Sequence, residues 1–449
     1  MHVPGRAGWA EVFLSRRLNY LRGLARVARR HLLPETAVKR GAKSEEGRSG
    51  LQDPLYPDVE ASSHEVGGKG SKPRRGRRPF AAGTGPGPEG SRLTADVRRP
   101  WGCGVEKGCS GECLRARSTE DVSPAAISMA KVTILGATGN VGMFAAHAIS
   151  EIPHVSEMLL VGRPGRENFL AGCCRDLSDS FAARGNDVHL SYSTGLFDAK
   201  GSDIVVCAAG VSRRPGQDRN DLAFENAKIV ADAAATIGRS SPDTILFLVT
   251  NPVDVMTAVA LKYSGLQPGQ VFGLGTHLDS MRLKSLIAHY FRVHVSEVHT
   301  RIIGEHGNSM VPLWSATTIG GIQISNLPTF SGLPKQEMIE TVRTSGEAII
   351  RDKGATVYGP GEAIATLVRT ILGNENRILT VSSYIRSEIH GIGDVCIGVP
   401  ARINREGVFP VPIRIEEDEV AGFRESVEKI RNLTDEVMER LEVDFKPLK

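Results

Sequence analysis

Residues 131–142 read KVTILGATGNVG. The opening KVTIL is a short apolar run rich in β-branched side chains, which suits a buried strand. It stops at Gly136, and from Asn140 the run NVGMFAAHAISEI repeats its apolar residues at helical spacing. Gly136, Gly139 and Gly142 therefore lie in a turn that leaves a strand and enters a helix. Gly136 permits the tight turn, Gly139 lets the backbone approach a pyrophosphate, and Gly142 lets helix and strand pack closely. Thr138, Asn140 and Val141 share this turn and the first helical positions, where backbone N–H groups can meet phosphate oxygens. Three spaced glycines are a weak signal alone; between a strand and a helix they are a specific one. They predict a dinucleotide site.

The same alternation continues downstream. EMLLVG, DVHLSYS, DIVVCAAG, TILFLVTNP and QVFGLG read as strands, the fifth-strand segment stopped by Pro252. Between them lie helical stretches from Arg166 to Arg184, over DLAFENAKIVADAAATIG with Gly238 expected to close it, and from Val253. Strand–helix alternation at this spacing predicts an α/β fold: a Rossmann dinucleotide-binding domain with a doubly wound parallel sheet over 129–275. From Thr276 the pattern changes to a long helix, HLDSMRLKSLIAHYF, followed by β-rich segments and a final helix. Val420, Phe423, Val427, Ile430, Leu433, Val437 and Leu441 form one stripe of that helix, which predicts core packing. Residues 276–449 are thus expected to form a C-terminal mixed α/β catalytic domain.

A nicotinamide-binding fold specific for NAD usually carries an acid at the end of its second strand, for the ribose 2′-hydroxyl. Here LLVGRPGRENF places Gly162 there, followed by Arg163 and Arg166. An arginine accommodates a 2′-phosphate, and an absent carboxylate removes repulsion against it. The cofactor expected is NADP or NAD, with NADP mildly favoured and Arg163 as a contact. The competing reading is two solvated loop charges.

The first 128 residues differ in kind. They hold 23 Lys+Arg against 14 Asp+Glu, whereas the remaining 321 residues hold 32 against 37. The overall charge of +4 describes neither part. GGKGSKPRRGRRPFAAGTGPGPEG has too little apolar content to offset the entropy of ordering it. An Arg-rich amphipathic stretch near the start reads like a transit peptide. Residues 1–128 are expected to be a disordered, targeting or mis-assigned N-terminal extension, and any basic-arm reading would rest on them alone. For the body no nucleic-acid or membrane partner and no metal are expected. In the body, adjacent Cys173 and Cys174 cannot readily bridge each other, and Cys207 and Cys396 look like buried small hydrophobes, which fits a cytoplasmic protein.

One loop remains, GVSRRPGQDRNDL (210–222), with three arginines after a buried strand. With the glycine loop in place, SRRPGQDRNDL, VTNPVDV, GTHLDSMRL and IIGEHGNSMVP occur in order. Together these resemble the lactate/malate dehydrogenase family, in particular its malate branch of archaeal, lactate-dehydrogenase-like kind. The resemblance runs from about Lys131 to the C-terminus and covers none of 1–128. It implies hydride transfer between a nicotinamide and C2 of a 2-hydroxy acid. His306 matches the acid/base, whose ordinary pKa of about 6.5 suits proton exchange near neutrality. Asp279 matches its partner. Arg282, three residues on along one helix face, matches the clamp on the C1 carboxylate. Asn251 would hydrogen-bond substrate, while Val249, Thr250 and Asn251 pass the nicotinamide and Asn226 makes another cofactor contact. Arg213 matches the substrate-choosing position and would pair with the distal carboxylate of a dicarboxylate. Arg219 would polarise the C2 carbonyl, and Arg214 has no partner assigned. Pro215–Gly216 suits the loop to act as a lid.

The expected activity is that of an L-malate dehydrogenase. Lactate or sulfolactate as the 2-hydroxy acid is the alternative, and a non-catalytic NADP-binding protein a remote one. A sugar epimerase or reductase on an extended dinucleotide fold would need Tyr with Lys four residues later, and none of the seven tyrosines has it. The resemblance also implies a homodimer or homotetramer. One departure is Asn308, where the family usually has Asp in its HGDS segment.

Overall fold

The computed structural model of the chain describes residues 129–211 and 219–444. The first half alternates as expected: β1 (Ala130–Leu135), α1 (Asn140–Ile149), β2 (Val155–Val161), α2 (Glu167–Arg184), β3 (His189–Ser193), β4 (Ile204–Cys207), α3 (Arg219–Ser240), β5 (Ile245–Leu248), α4 (Val253–Ser264) and β6 (Val271–Gly273). These six strands are parallel, in the order β6-β5-β4-β1-β2-β3. The chain reverses direction across the sheet between β1 and β4, so a crevice opens beyond the carboxyl ends of those strands. β1, β4 and β5 are buried on both faces, as near-continuous apolar runs of a covered parallel sheet must be.

Gly238 does not end its helix. α3 continues to Ser240, and a Cβ on Gly238 would lie 1.9 Å from the Ser264 carbonyl oxygen. The missing side chain serves the close approach of α3 to the end of α4, which outweighs glycine's low helix propensity.

The second half opens with α5 (His277–Phe291), then β7 (Val298–His299), β8 (Ile302–Ile303), β9 (Val311–Pro312), β10 (Thr318–Ile319) and β11 (Ile322–Gln323). Two helices follow, α6 (Lys335–Lys353) and α7 (Tyr358–Leu372), then β12 (Arg377–Ile385), β13 (Val395–Asn404), β14 (Gly407–Pro410) and α8 (Glu417–Asp444). β12 joins the edge of β6 through the antiparallel pair Ser382–Gly273, so β12–β14 extend the parallel sheet to nine strands. The apolar stripe of α8 is packed inward: Phe423, Val427, Ile430, Val437 and Leu441 are buried.

Candidate functional site

The glycine turn has the geometry its residues allow. Gly136 takes a φ of +82°, and a Cβ there would lie 2.6 Å from the Ala209 nitrogen. At Gly142 a Cβ would meet the Gly136 oxygen at 2.7 Å, so helix and turn touch backbone to backbone. At Gly139 the nearest atom would be 3.4 Å away, and the residue is exposed in extended conformation. α1 begins beside it with no side chain capping its first N–H groups among the described residues. An exposed, uncapped helix start fronted by a glycine fits a bound pyrophosphate. At the end of β2, a Cβ on Gly162 would be 2.8 Å from the Thr138 side chain. Arg163 beyond it is exposed, and Arg166 stacks over the Phe169 ring at 4.3 Å.

The loops that follow β4 and β5 are stitched together. The Thr250 hydroxyl donates to the Ala209 carbonyl (2.7 Å). Asn226 Oδ1 accepts from the Val211 N–H (2.7 Å), and its Nδ2 donates to the Asn251 carbonyl (2.8 Å) and the Val211 carbonyl (3.4 Å). Asn226 is buried with both donors engaged, so its bonds hold two loops together instead of reaching toward a cofactor. Asn251 itself is exposed at the mouth of the crevice. Arg213, Arg214 and the Pro215–Gly216 pair lie outside the described residues, as does the side chain of Arg219, the first residue of α3.

Three of the expected residues meet at the start of α5. His306 Nδ1 is 2.6 Å from Asp279 Oδ2, and Arg282 donates from a guanidinium nitrogen to Asp279 Oδ1 at 3.3 Å. The Asp279 side chain is 1 % exposed and that of Arg282 18 %, so this is not a solvated helix-surface pair. Two hydroxyls flanking Asp279 on the sequence set the register. Thr276 Oγ1 donates to the Ile302 carbonyl (2.5 Å), and Ser280 Oγ accepts from the Ile302 N–H (2.9 Å). They pin β8 to the start of α5 and so bring the loop carrying His306 over Asp279. The carboxylate of Asp279 drives the His306 imidazole up to about 9, against burial, which lowers it.

Sequence reasoning missed the rest of the frame around this loop. The His306 N–H donates to Asp254 Oδ2 at 2.9 Å. The Glu305 N–H donates to Ser426 Oγ (2.6 Å), and the Glu305 carboxylate accepts from Lys429 (2.6 Å) and from the Ser309 N–H (3.0 Å). Gly304 and Gly398 exchange backbone hydrogen bonds at 2.9 and 3.1 Å. α4, α8 and β13 thus each hold one point of the loop. The buried Asp254, two residues beyond Pro252, was the available signal, since a carboxylate inside an apolar helix start needs a partner. Asn308 is exposed.

The chain is similar to known proteins along both halves. Residues 130–273 match the family model for the lactate/malate dehydrogenase NAD binding domain, and residues 276–441 that for its alpha/beta C-terminal domain. The chain is 49 % identical over 322 residues to a malate dehydrogenase of Methanothermobacter marburgensis, covering 70 % of this chain and 99 % of that protein. It is 48 % identical over 310 residues to an L-2-hydroxycarboxylate dehydrogenase (NAD(P)(+)) of Methanocaldococcus jannaschii, covering 68 % and 99 %. Among solved structures, malate dehydrogenase from Archaeoglobus fulgidus in complex with NADH superposes with a TM-score of 0.62 at 31 % identity, covering 68 % of this chain and 99 % of that one.

Proposed function

The chain belongs to the lactate/malate dehydrogenase family, and from that premise we propose that it interconverts L-malate and oxaloacetate with a nicotinamide dinucleotide. The observation that carries the reading is the His306–Asp279–Arg282 set, at 2.6 and 3.3 Å around the buried Asp279 carboxylate. Gly136, Gly139, Gly142 and the start of α1 would hold the cofactor's pyrophosphate, with Thr138, Asn140 and Val141 around it. A bound nicotinamide supplies or accepts the hydride at C2.

The chain's own residues do the remainder. With Nδ1–H donated to Asp279, the His306 ring keeps Nε2 for the substrate oxygen. In the reducing direction the imidazolium donates its Nε2 proton to the C2 oxygen of oxaloacetate; in the oxidising direction neutral Nε2 takes the malate hydroxyl proton. Asp279 stabilises the imidazolium in both cases. Arg282 clamps the C1 carboxylate with the part of its planar fork that Asp279 does not use. Asn251 orients the substrate oxygen, while Val249 and Thr250 bound the nicotinamide. Asn226 keeps those loops in register. Arg219 polarises the C2 carbonyl, and Arg213 pairs with the distal carboxylate, which selects the dicarboxylate over pyruvate.

NADP is the favoured cofactor. The support is the absence of an acid at Gly162 together with the exposed Arg163. A homodimer or homotetramer in the cytoplasm is the expected state, and among the described residues no helix is long and apolar enough to cross a membrane. Following NADPH and NADH oxidation with oxaloacetate in wild type and His306→Gln tests the reading. Loss of turnover in the variant is expected, and turnover at the wild-type rate would overturn it.

A further inference from the structure

Asp254 is a buried carboxylate, 2 % exposed, near the start of α4 and facing the back of the His306 loop. Only one of its oxygens is used: Oδ2 accepts from the His306 N–H at 2.9 Å. Oδ1 has no hydrogen-bond partner among the described residues, and neither has the buried hydroxyl of Ser382 on β12. That hydroxyl lies close enough to help lower the Asp254 pKa. For stability alone, this is a poor choice of residue. An asparagine of the same shape would accept the same N–H and could offer its amide to Ser382. It would also carry no buried charge. Burial pushes the Asp254 carboxyl from 3.8 up to about 6, so stability falls as pH rises between those values and the cost of its ionised form is fully present above about 6.

We infer that Asp254 is a positioning residue for proton transfer, acting through His306: it anchors the loop through the His306 N–H and supplies a second negative charge behind the imidazolium. This rests on the reading of His306 as the acid/base. The titratable and charged groups facing the pair come from several packed elements. Asp279 and Arg282 come from α5, Glu305 from the His306 loop itself, and Cys396 from β13. Asp279 and Asp254 raise the affinity of His306 for its proton, while Arg282 lowers it. Glu305 opposes ionisation of Asp254, and Asp254 in turn pushes up the already buried Cys396 thiol. Asp254 differs from Asp279 in touching the loop's backbone and not the ring. It can therefore strengthen the imidazolium without competing for Nδ1. A partly unsatisfied buried charge kept at such a point fits a cost in stability held for function.

The test compares wild type, Asp254→Asn and Asp254→Ala in the full chain, using NMR titration of the His306 ring, the pH profile of kcat/KM for oxaloacetate reduction, and thermal melting. Asp254→Asn is expected to melt at or above the wild-type temperature. Its His306 midpoint should fall by about one pH unit, with the rate profile moving by the same amount. Asp254→Ala, which also loses the anchor, is expected to lower kcat by a further tenfold or more. An unchanged His306 titration in Asp254→Asn would overturn the coupling and leave Asp254 a backbone anchor only. A titration that moves while the rate profile stays would instead overturn the assignment of His306 as the acid/base.

Discussion

His306 Nδ1 lies 2.6 Å from Asp279 Oδ2, joining two residues 27 positions apart in the chain. The short contact fixes which ring nitrogen faces Asp279 and so which, in the function proposed above, is left for the substrate. It also makes the imidazolium the ground state near neutrality. Asp279→Asn keeps the volume but removes the charge and can present an N–H to Nδ1. The expected outcome is a fall in kcat of about 10²–10⁴, with KM for the cofactor unchanged. Steady-state kinetics in both directions checks this.

The direction of the pH dependence follows from the same pair. His306 titrates at about 9, well above its ordinary 6.5. Oxaloacetate reduction needs the protonated ring, so its kcat/KM should hold through neutral pH and fall as pH passes about 9. Malate oxidation needs the neutral ring and should rise over the same range. Parallel profiles for the two directions would contradict the single-group account. His306 also contributes stability that is fully present below 6.5 and lost as pH rises through 9.

His277, two residues before Asp279, has the opposite sign. It is buried, its Nε2 has no hydrogen-bond partner among the described residues, and burial lowers it to about 4 from 6.5. Its neutral form is the folded one. The stability it contributes is present above 6.5 and is lost as pH falls toward 4, a difference of roughly 3 kcal/mol. Acid unfolding followed by circular dichroism should be shallower in His277→Asn. Equal acid sensitivity of the two proteins would rule this out.

Gly139 and Gly142 should respond differently to alanine. Gly139 has an ordinary extended φ of −90°, and its Cβ would meet nothing nearer than 3.4 Å. Gly139→Ala is therefore expected to melt like wild type but to bind the dinucleotide about tenfold or more weakly, because the methyl occupies the phosphate's approach. In Gly142→Ala the methyl would meet backbone at 2.7 Å, and a loss of about 1–3 kcal/mol of stability is expected as well. Calorimetry of binding beside thermal melts separates the two.

The parts of this picture that were legible in the sequence are those encoded over short stretches. The glycine turn, the strand–helix alternation and the i, i+3 pair of Asp279 and Arg282 each depend on residues within one or two elements. What stayed hidden depends on distant elements meeting. Asp254 reaches the His306 N–H across 52 residues, and Ser426 and Lys429 reach Glu305 across 121 and 124. Asp254 in an apolar helix start signals that a partner exists, but nothing local marks which residue it is. Helix α7 was masked by YGPGEA at its start. There Gly361 is needed because a Cβ would lie 2.2 Å from the Phe144 ring, and the helix packs on α1 through that gap. Gly238 misled for the same reason: its role is a contact with Ser264, not the end of a helix.

Cofactor choice is open to a direct substitution. Arg163 is exposed at the end of β2, where no acid stands. Arg163→Ala is expected to raise KM for NADPH about tenfold, the loss of one charge-assisted contact, and to leave KM for NADH nearly unchanged. An equal effect on both cofactors would remove the 2′-phosphate assignment.

Arg213 is the residue proposed to make the site select a dicarboxylate. The ratio of kcat/KM for oxaloacetate over pyruvate, measured for wild type and Arg213→Gln, tests it most directly. A wild-type ratio of about 10² or more is expected from one paired charge, with its collapse toward unity in the variant. A wild-type enzyme that reduces pyruvate as well as oxaloacetate, or a ratio untouched by Arg213→Gln, would contradict it.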